Sequence, residues 1–200
     1  MLSFEPSTHT YRFDGELVPS VTQVLAPISS YAGIPRNILD TAAARGTYIH
    51  QCCEMLLWET LDWDSVMPEY AEYVRAFERF LLESGVEVEL PEERVYHPGL
   101  RYAGTVDLVC RLPKRKKLRR AIVDYKTSLK LMPSVGPQVA AYQEAQNASQ
   151  PKGEEKVLDR YGLHLKKDGT YVLEPYESPN DMNVFRSCLV IHNFLKEKSQ

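Results

Sequence analysis

The chain lacks several features that would settle its class at once. None of its 200 residues belongs to an apolar run approaching the roughly 18 residues that cross a bilayer, so no membrane association is expected. Met1 to Thr10 carries neither a basic run nor an apolar core, so no secretory or organelle-targeting peptide is predicted and the expected compartment is the cytoplasm. Cysteine is sparse and poorly spaced for structural use. Cys52, Cys53, Cys110 and Cys188 include no pair with the two-residue gap of a zinc knuckle, and adjacent cysteines on one helix bridge poorly, so reduced thiols are predicted. Internal repeats and long linkers are also missing, which predicts one domain spanning 1–200. A strong charge of one sign is absent too. A net charge of −3 taken alone argues against a polyanionic ligand.

That total hides a distribution. Lys114, Arg115, Lys116, Lys117, Arg119 and Arg120 place six positive charges in seven residues, leaving the rest of the chain distinctly acidic. Such a run is either a solvated turn or a contact for nucleic-acid backbone.

Around it the periodicity is readable. Thr10 to Phe13 and Glu16 to Val18 flank Asp14-Gly15, a dipeptide suited to a tight hairpin turn. Ser20 is the expected N-cap of a short helix over Val21 to Leu25. A link containing Pro, Ser and Gly follows. Helices are then predicted from about Asn37 to Thr60, with Ile38, Ala42, Ile49, Cys53 and Leu56 inward, and from about Pro68 to Ser84. Strands are predicted over Val86 to Tyr96, Tyr102 to Leu112 and Ala121 to Tyr125, then a helix over Pro137 to Gln146. A second hairpin spans Lys156 to Leu165 and Thr170 to Leu173. A closing helix covers Asp181 to Lys196, with Phe185, Leu189, Ile191, His192 and Leu195 near one stripe. This order predicts an α/β (α+β) fold, a mixed central sheet flanked by helices.

The chemistry concentrates in Gly104-Thr105-Val106-Asp107 and Ile122-Val123-Asp124-Tyr125-Lys126. Asp107 interrupts an apolar strand. Asp124 and Lys126 lie two apart, on one face of a strand end. Burying a carboxylate is costly unless a partner or a metal offsets it. The plain alternative is a salt bridge from Lys126, yet one lysine cannot neutralise two aspartates. A divalent cation can, and oxygen ligands suit Mg²⁺ or Mn²⁺. Phosphodiester hydrolysis uses such a set, with carboxylates holding metal and lysine acting on the water or the phosphoryl charge. The carbonyl of Tyr125, between the two side chains, is a further candidate ligand.

G-x-x-D followed by D-x-K on the next strand resembles the PD-(D/E)XK nuclease superfamily. Gly46-Thr47-Tyr48-Ile49-His50 on a helix, Gln138 to Tyr142 as Q-x-x-x-Y, and Pro19-Ser20-Val21-Thr22 resemble its RecB-like exonuclease branch, phage-type and mitochondrial single-strand exonucleases included. The resemblance runs from about Pro19 to Tyr142. It implies a restriction-endonuclease-like core, with His50, Asp107 and Asp124 on the metal, Lys126 assisting the water and an acidic residue from the preceding strand. Glu92 is preferred for that residue over Glu93. It also implies that Gln138 and Tyr142 face substrate or the active-site lysine. Ser20 and Thr22 are candidates for a DNA phosphate, with simple capping as the alternative. Lys114, Arg115, Lys116 and Lys117 are candidates for backbone contact, unless their turn lies at the far end of the sheet. Some relatives hold an iron–sulfur cluster on one upstream and three downstream cysteines. Only Cys188 follows the D-x-K here, so no cluster is expected.

The function implied is Mg²⁺- or Mn²⁺-dependent DNA hydrolysis, exonucleolytic in preference to endonucleolytic. The setting would be DNA repair, recombination or phage genome processing, in the cytoplasm of a bacterium or a phage-infected host. DNA is the expected partner, with a recombination or single-strand-binding protein as a second. The rival readings are a structure-specific or nicking endonuclease, and a nucleic-acid-binding module with a nuclease fold and little activity.

Overall fold

The computed structural model describes residues 1–29 and 33–198, so the middle of the link before the long helix lies outside the described residues. Two sheets form, with helices around them. Strands β1 (Leu2–Glu5), β2 (Thr10–Phe13) and β3 (Glu16–Val18) make an antiparallel sheet. Asp14 and Gly15 both take positive φ, 50° and 84°, as a tight two-residue hairpin turn requires. The expected hairpin therefore gains a third strand. Leu2–Glu5 alternates half-buried and exposed residues but is too short to announce itself.

The second sheet has the order β4 (Glu87–His97), β5 (Tyr102–Lys114), β6 (Lys117–Lys126), β7 (Asp159–Leu165) and β8 (Tyr171–Pro175). All neighbours are antiparallel except β6 and β7, whose parallel pairing is bridged by helix α4 (Val135–Ser149). A parallel pair needs such a crossover, because a tight turn cannot return the chain to the same end. The mixed α+β architecture is thus present.

Each face of this sheet is covered. On one side Val106, Val109 and Ile122 pack with α1 (Val21–Val24), α4 and α5 (Asp181–Lys198), through Val139, Tyr142 and Phe185. On the other, Leu108, Cys110 and Val123 pack with α2 (Arg36–Leu57) and α3 (Ala71–Glu83), through Ile49, Cys53, Phe77 and Phe80. Each large apolar side chain fully buried there contributes roughly 1.5–3 kcal/mol. Nine residues of α4 are buried because it lies between the sheet and α5, which hides any simple amphipathic stripe.

Two predicted faces are narrower than expected. Ile38 on α2 is 54% exposed, and Ile191 and Leu195 on α5 are 46% and 55% exposed. The buried stripe of α5 is Phe185, Cys188 and Leu189 instead. All four cysteines are buried and free. No helix among the described residues is long and apolar enough to cross a membrane.

Candidate metal centre

Four elements converge on Asp107. It lies in β5, and extending the Leu108↔Val123 register by one step sets it opposite Asp124 on β6. The ladder stops there. Asp107 Oδ2 accepts the Tyr125 backbone N–H at 2.5 Å, a position a strand neighbour would otherwise fill. Its other oxygen, Oδ1, lies 3.4 Å from Nδ1 of His50 on α2. Glu92 on β4 completes the group: one ligand atom each from His50, Glu92 and Asp107 lies within 4.8 Å of the others. That is the only such group of ligating side chains among the described residues.

Glu92 reaches this position through an unusual backbone. Its φ is 49°, in the left-handed region that strongly favours glycine, in the middle of a strand. Its neighbours Pro91 and Glu93 pair regularly with Leu108 and Val106. At this kink Glu92 lies in the group with Asp107, while Glu93 stays paired with Val106 in the ladder.

Asp124 is 2% exposed and outside the group of three. Its Oδ2 contacts Lys126 Nζ, as the two-residue spacing on one strand requires. Burial pushes its carboxyl up to about 6, and Asp107 adds to that rise against the pull of Lys126. Burial likewise raises Glu92 to about 7, again reinforced by Asp107. For Asp107 burial also opposes the charge, but the charge and hydrogen bond of His50 prevail and hold it low. His50 is raised in turn, burial being outweighed by Asp107. The centre thus contains more carboxylate than its own cations neutralise. Nitrogen from His50 and oxygen from Glu92 and Asp107 fit a divalent ion, with Asp124 beside them.

The other sequence candidates are placed as follows. The Tyr125 phenol turns toward α2 and α3, 4.8 Å from the Phe77 ring and 5.5 Å from the His50 ring. Its backbone N–H, not its side chain, meets Asp107. Gln138 Nε2 donates to Tyr142 Oη at 3.2 Å on α4. Burial drives the Tyr142 phenol strongly up, and Asp124 and Asp107 add to this. Tyr142 packs with Ile122, whose side chain shares the strand face of Asp124. Ser20 is 2% exposed and accepts the Gln23 N–H at 3.1 Å in a capping box, while the Gln23 side chain returns to the Ser20 N–H. Capping, the alternative weighed for Ser20, is therefore present. Thr22 remains exposed, 3.0 Å from the Ser20 hydroxyl.

The basic run forms the β5–β6 turn, with Arg115 and Lys116 at positive φ and Lys114 paired to Lys117. At about 3.4 Å per residue it lies roughly 24 Å along β5 from Asp107. Lys114 is held by Asp159 and Glu177 at 2.8 and 2.7 Å, and Arg119 by Asp159 at 2.7 Å. Arg115, Lys116 and Lys117 stay exposed. The turn belongs to the far end of the sheet.

One participant had no signal in the sequence. Tyr11 of β2 is 2% exposed, and its hydroxyl lies 2.8 Å from Thr105 Oγ1 in the G-x-x-D segment. It brings the small sheet against the centre; burial raises its phenol, the Thr105 hydrogen bond and Arg94 oppose the rise, and Glu92 and Asp107 add to it.

No family model and no curated protein matches the chain. Among solved structures, "Crystal structure of SSO0001" is similar at a TM-score of 0.34 and 13% identity, over 77% of this chain and 71% of that one.

Proposed function

We propose that the protein is a Mg²⁺- or Mn²⁺-dependent deoxyribonuclease of the PD-(D/E)XK type, acting on DNA ends. The observation that carries this reading is the convergence of His50, Glu92 and Asp107 within 4.8 Å, beside the paired Asp124 and Lys126. A salt bridge alone leaves Glu92 and Asp107 crowded and short of positive charge, with Glu92 raised to about 7. A divalent cation resolves that crowding.

When bound, such an ion supplies Lewis acidity toward the phosphoryl group and activates water. The protein's own residues do the rest. Asp107 is fixed by the Tyr125 N–H and by His50, so its carboxylate is preorganised. Lys126, held by Asp124, presents an ammonium that stabilises charge on the phosphoryl oxygens or moves a proton at the attacking water. Gln138 and Tyr142 line the same side and orient the substrate backbone. This arrangement supports the phage-type, RecB-like assignment and a setting in repair, recombination or genome processing.

A time course on end-labelled linear DNA beside a covalently closed circle, with Mg²⁺ or Mn²⁺, tests the reading. Loss of the linear substrate alone is expected. Cutting of the circle would make the enzyme an endonuclease, and hydrolysis of neither would refute the proposal.

A further inference from the structure

Arginines withdrawn from solvent follow one rule in this protein, with one exception. Arg111 meets Glu89 and Glu155 at 2.7 and 2.6 Å, Arg119 meets Asp159 at 2.7 Å, and Arg120 meets Glu89 at 2.6 Å. Arg160 lies 3.5 Å from Asp181. Arg45, half-buried on α2, has no carboxylate within ion-pair distance among the described residues. Its Nη2 donates to the Thr127 carbonyl at 3.3 Å, and its guanidinium carbon lies 5.9 Å from the Tyr73 ring centre. Its Nε is shut off from solvent and has no hydrogen-bond partner.

A guanidinium carries five N–H donors and cannot shed its charge. Partly burying it without an anion is unfavourable, and one neutral carbonyl with a distant ring offsets little of that. The location supplies a reason. Arg45 shares α2 with His50 and is pinned to Thr127, the residue after Lys126, so it stands where the helix and the strand of the centre meet.

We propose that Arg45 binds a backbone phosphate of the nucleic-acid substrate beside the metal centre, an inference that rests on the nuclease reading above. The Thr127 carbonyl and the Tyr73 face hold the planar fork, and the substrate provides the anion that the protein withholds. Leaving the charge unpaired in the free protein makes the contact selective for a phosphodiester over neutral ligands.

Two measurements on the full chain test this. In metal-free protein, the arginine Nε–H resonance assigned to Arg45 by its loss in Arg45→Lys is followed during titration with inorganic phosphate, against chloride at matched ionic strength. A saturable, phosphate-specific shift is expected. Affinity is then measured with Ca²⁺ for oligonucleotides carrying one uncharged methylphosphonate, moved stepwise along the strand. Wild type should lose about ten- to a hundredfold at one position, the worth of a charge-assisted hydrogen bond. Arg45→Ala should lose a similar factor on all-phosphate DNA and no longer distinguish that position, with Arg45→Lys recovering part. An unresponsive Nε–H signal overturns the proposal. So does an Arg45→Ala or Arg45→Lys profile indistinguishable from wild type. A phosphate shift with DNA affinity independent of Arg45 assigns the site to a free phosphate compound and overturns the substrate role. Intact position-specific binding without hydrolysis in Mn²⁺ would fail the nuclease reading alone and uphold the phosphate contact.

Discussion

The ring of Tyr142 lies so close over Gly104 that a Cβ on that residue would stand 2.6 Å from Tyr142 Cε1. The glycine of G-x-x-D and the tyrosine of Q-x-x-x-Y are therefore one packing unit, joining β5 to α4. Gly104→Ala must push the ring aside, with the 3.2 Å contact from Gln138 at stake. A loss of about 1–3 kcal/mol is expected, as for overpacked cores. Urea denaturation measures it, and an unchanged midpoint would show that the ring moves freely.

The raised carboxyls make the metal-free protein sensitive to pH. Glu92 titrates near 4.5 when unfolded and at about 7 when folded, so between those values the folded state binds the extra proton. Stability then falls as pH rises through that window. Asp124 acts in the same direction from 3.8 to about 6, and the raised His50 does so above 6.5. Asp107, held low, matters only below 3.8, where its contribution is lost as pH falls. Thermal midpoints in EDTA should therefore fall less steeply with pH in Glu92→Gln than in wild type. Divalent metal should bind more tightly as pH rises, releasing protons measurable by calorimetry in buffers of different ionisation enthalpy. Parallel profiles for the two proteins would contradict the placement of Glu92.

Glu92 also offers a trade between stability and binding. Glycine there removes a crowded carboxylate and a left-handed backbone that disfavours side chains by about 1–2 kcal/mol. Glu92→Gly is expected to match or exceed the wild-type midpoint above pH 7 in EDTA and to bind Mn²⁺ at least tenfold more weakly. Calorimetric titration with Mn²⁺ decides the second half, and undiminished affinity would remove Glu92 from the ligand set.

Lys126→Ala leaves Asp124 buried without its ammonium. The resulting loss of stability should appear above about pH 6, where Asp124 ionises, and fade below it, where the carboxyl is protonated. A pH-independent loss would mean that Lys126 matters only through packing.

Much of this was legible in the sequence because it depends on short spacings. Asp124 and Lys126 share a face since strand side chains alternate, and Gln138 reaches Tyr142 since helix neighbours recur every four residues. The Glu92 kink was not legible, because a left-handed glutamate inside a strand breaks the alternation that would reveal it. The basic turn was misjudged in extent for a related reason. The expected strands end at Leu112 and resume at Ala121, but carboxylates remote in sequence, Asp159, Glu177 and Glu89, pair with Lys114, Arg119 and Arg120 among the intervening cations and let both strands continue. Tyr11 meets Thr105 from 94 residues away, and no local pattern announces such a pair.

The most direct measurement is the initial rate of phosphodiester hydrolysis on end-labelled linear DNA with Mn²⁺, for wild type, Asp124→Asn and Lys126→Ala, with folding of each verified by its thermal midpoint. Wild type should hydrolyse the DNA only with metal present, and each variant should be slower by about a hundredfold or more. Metal-independent hydrolysis, or variants that are folded and retain a rate within about tenfold of wild type, would contradict the assignment of catalysis to this centre.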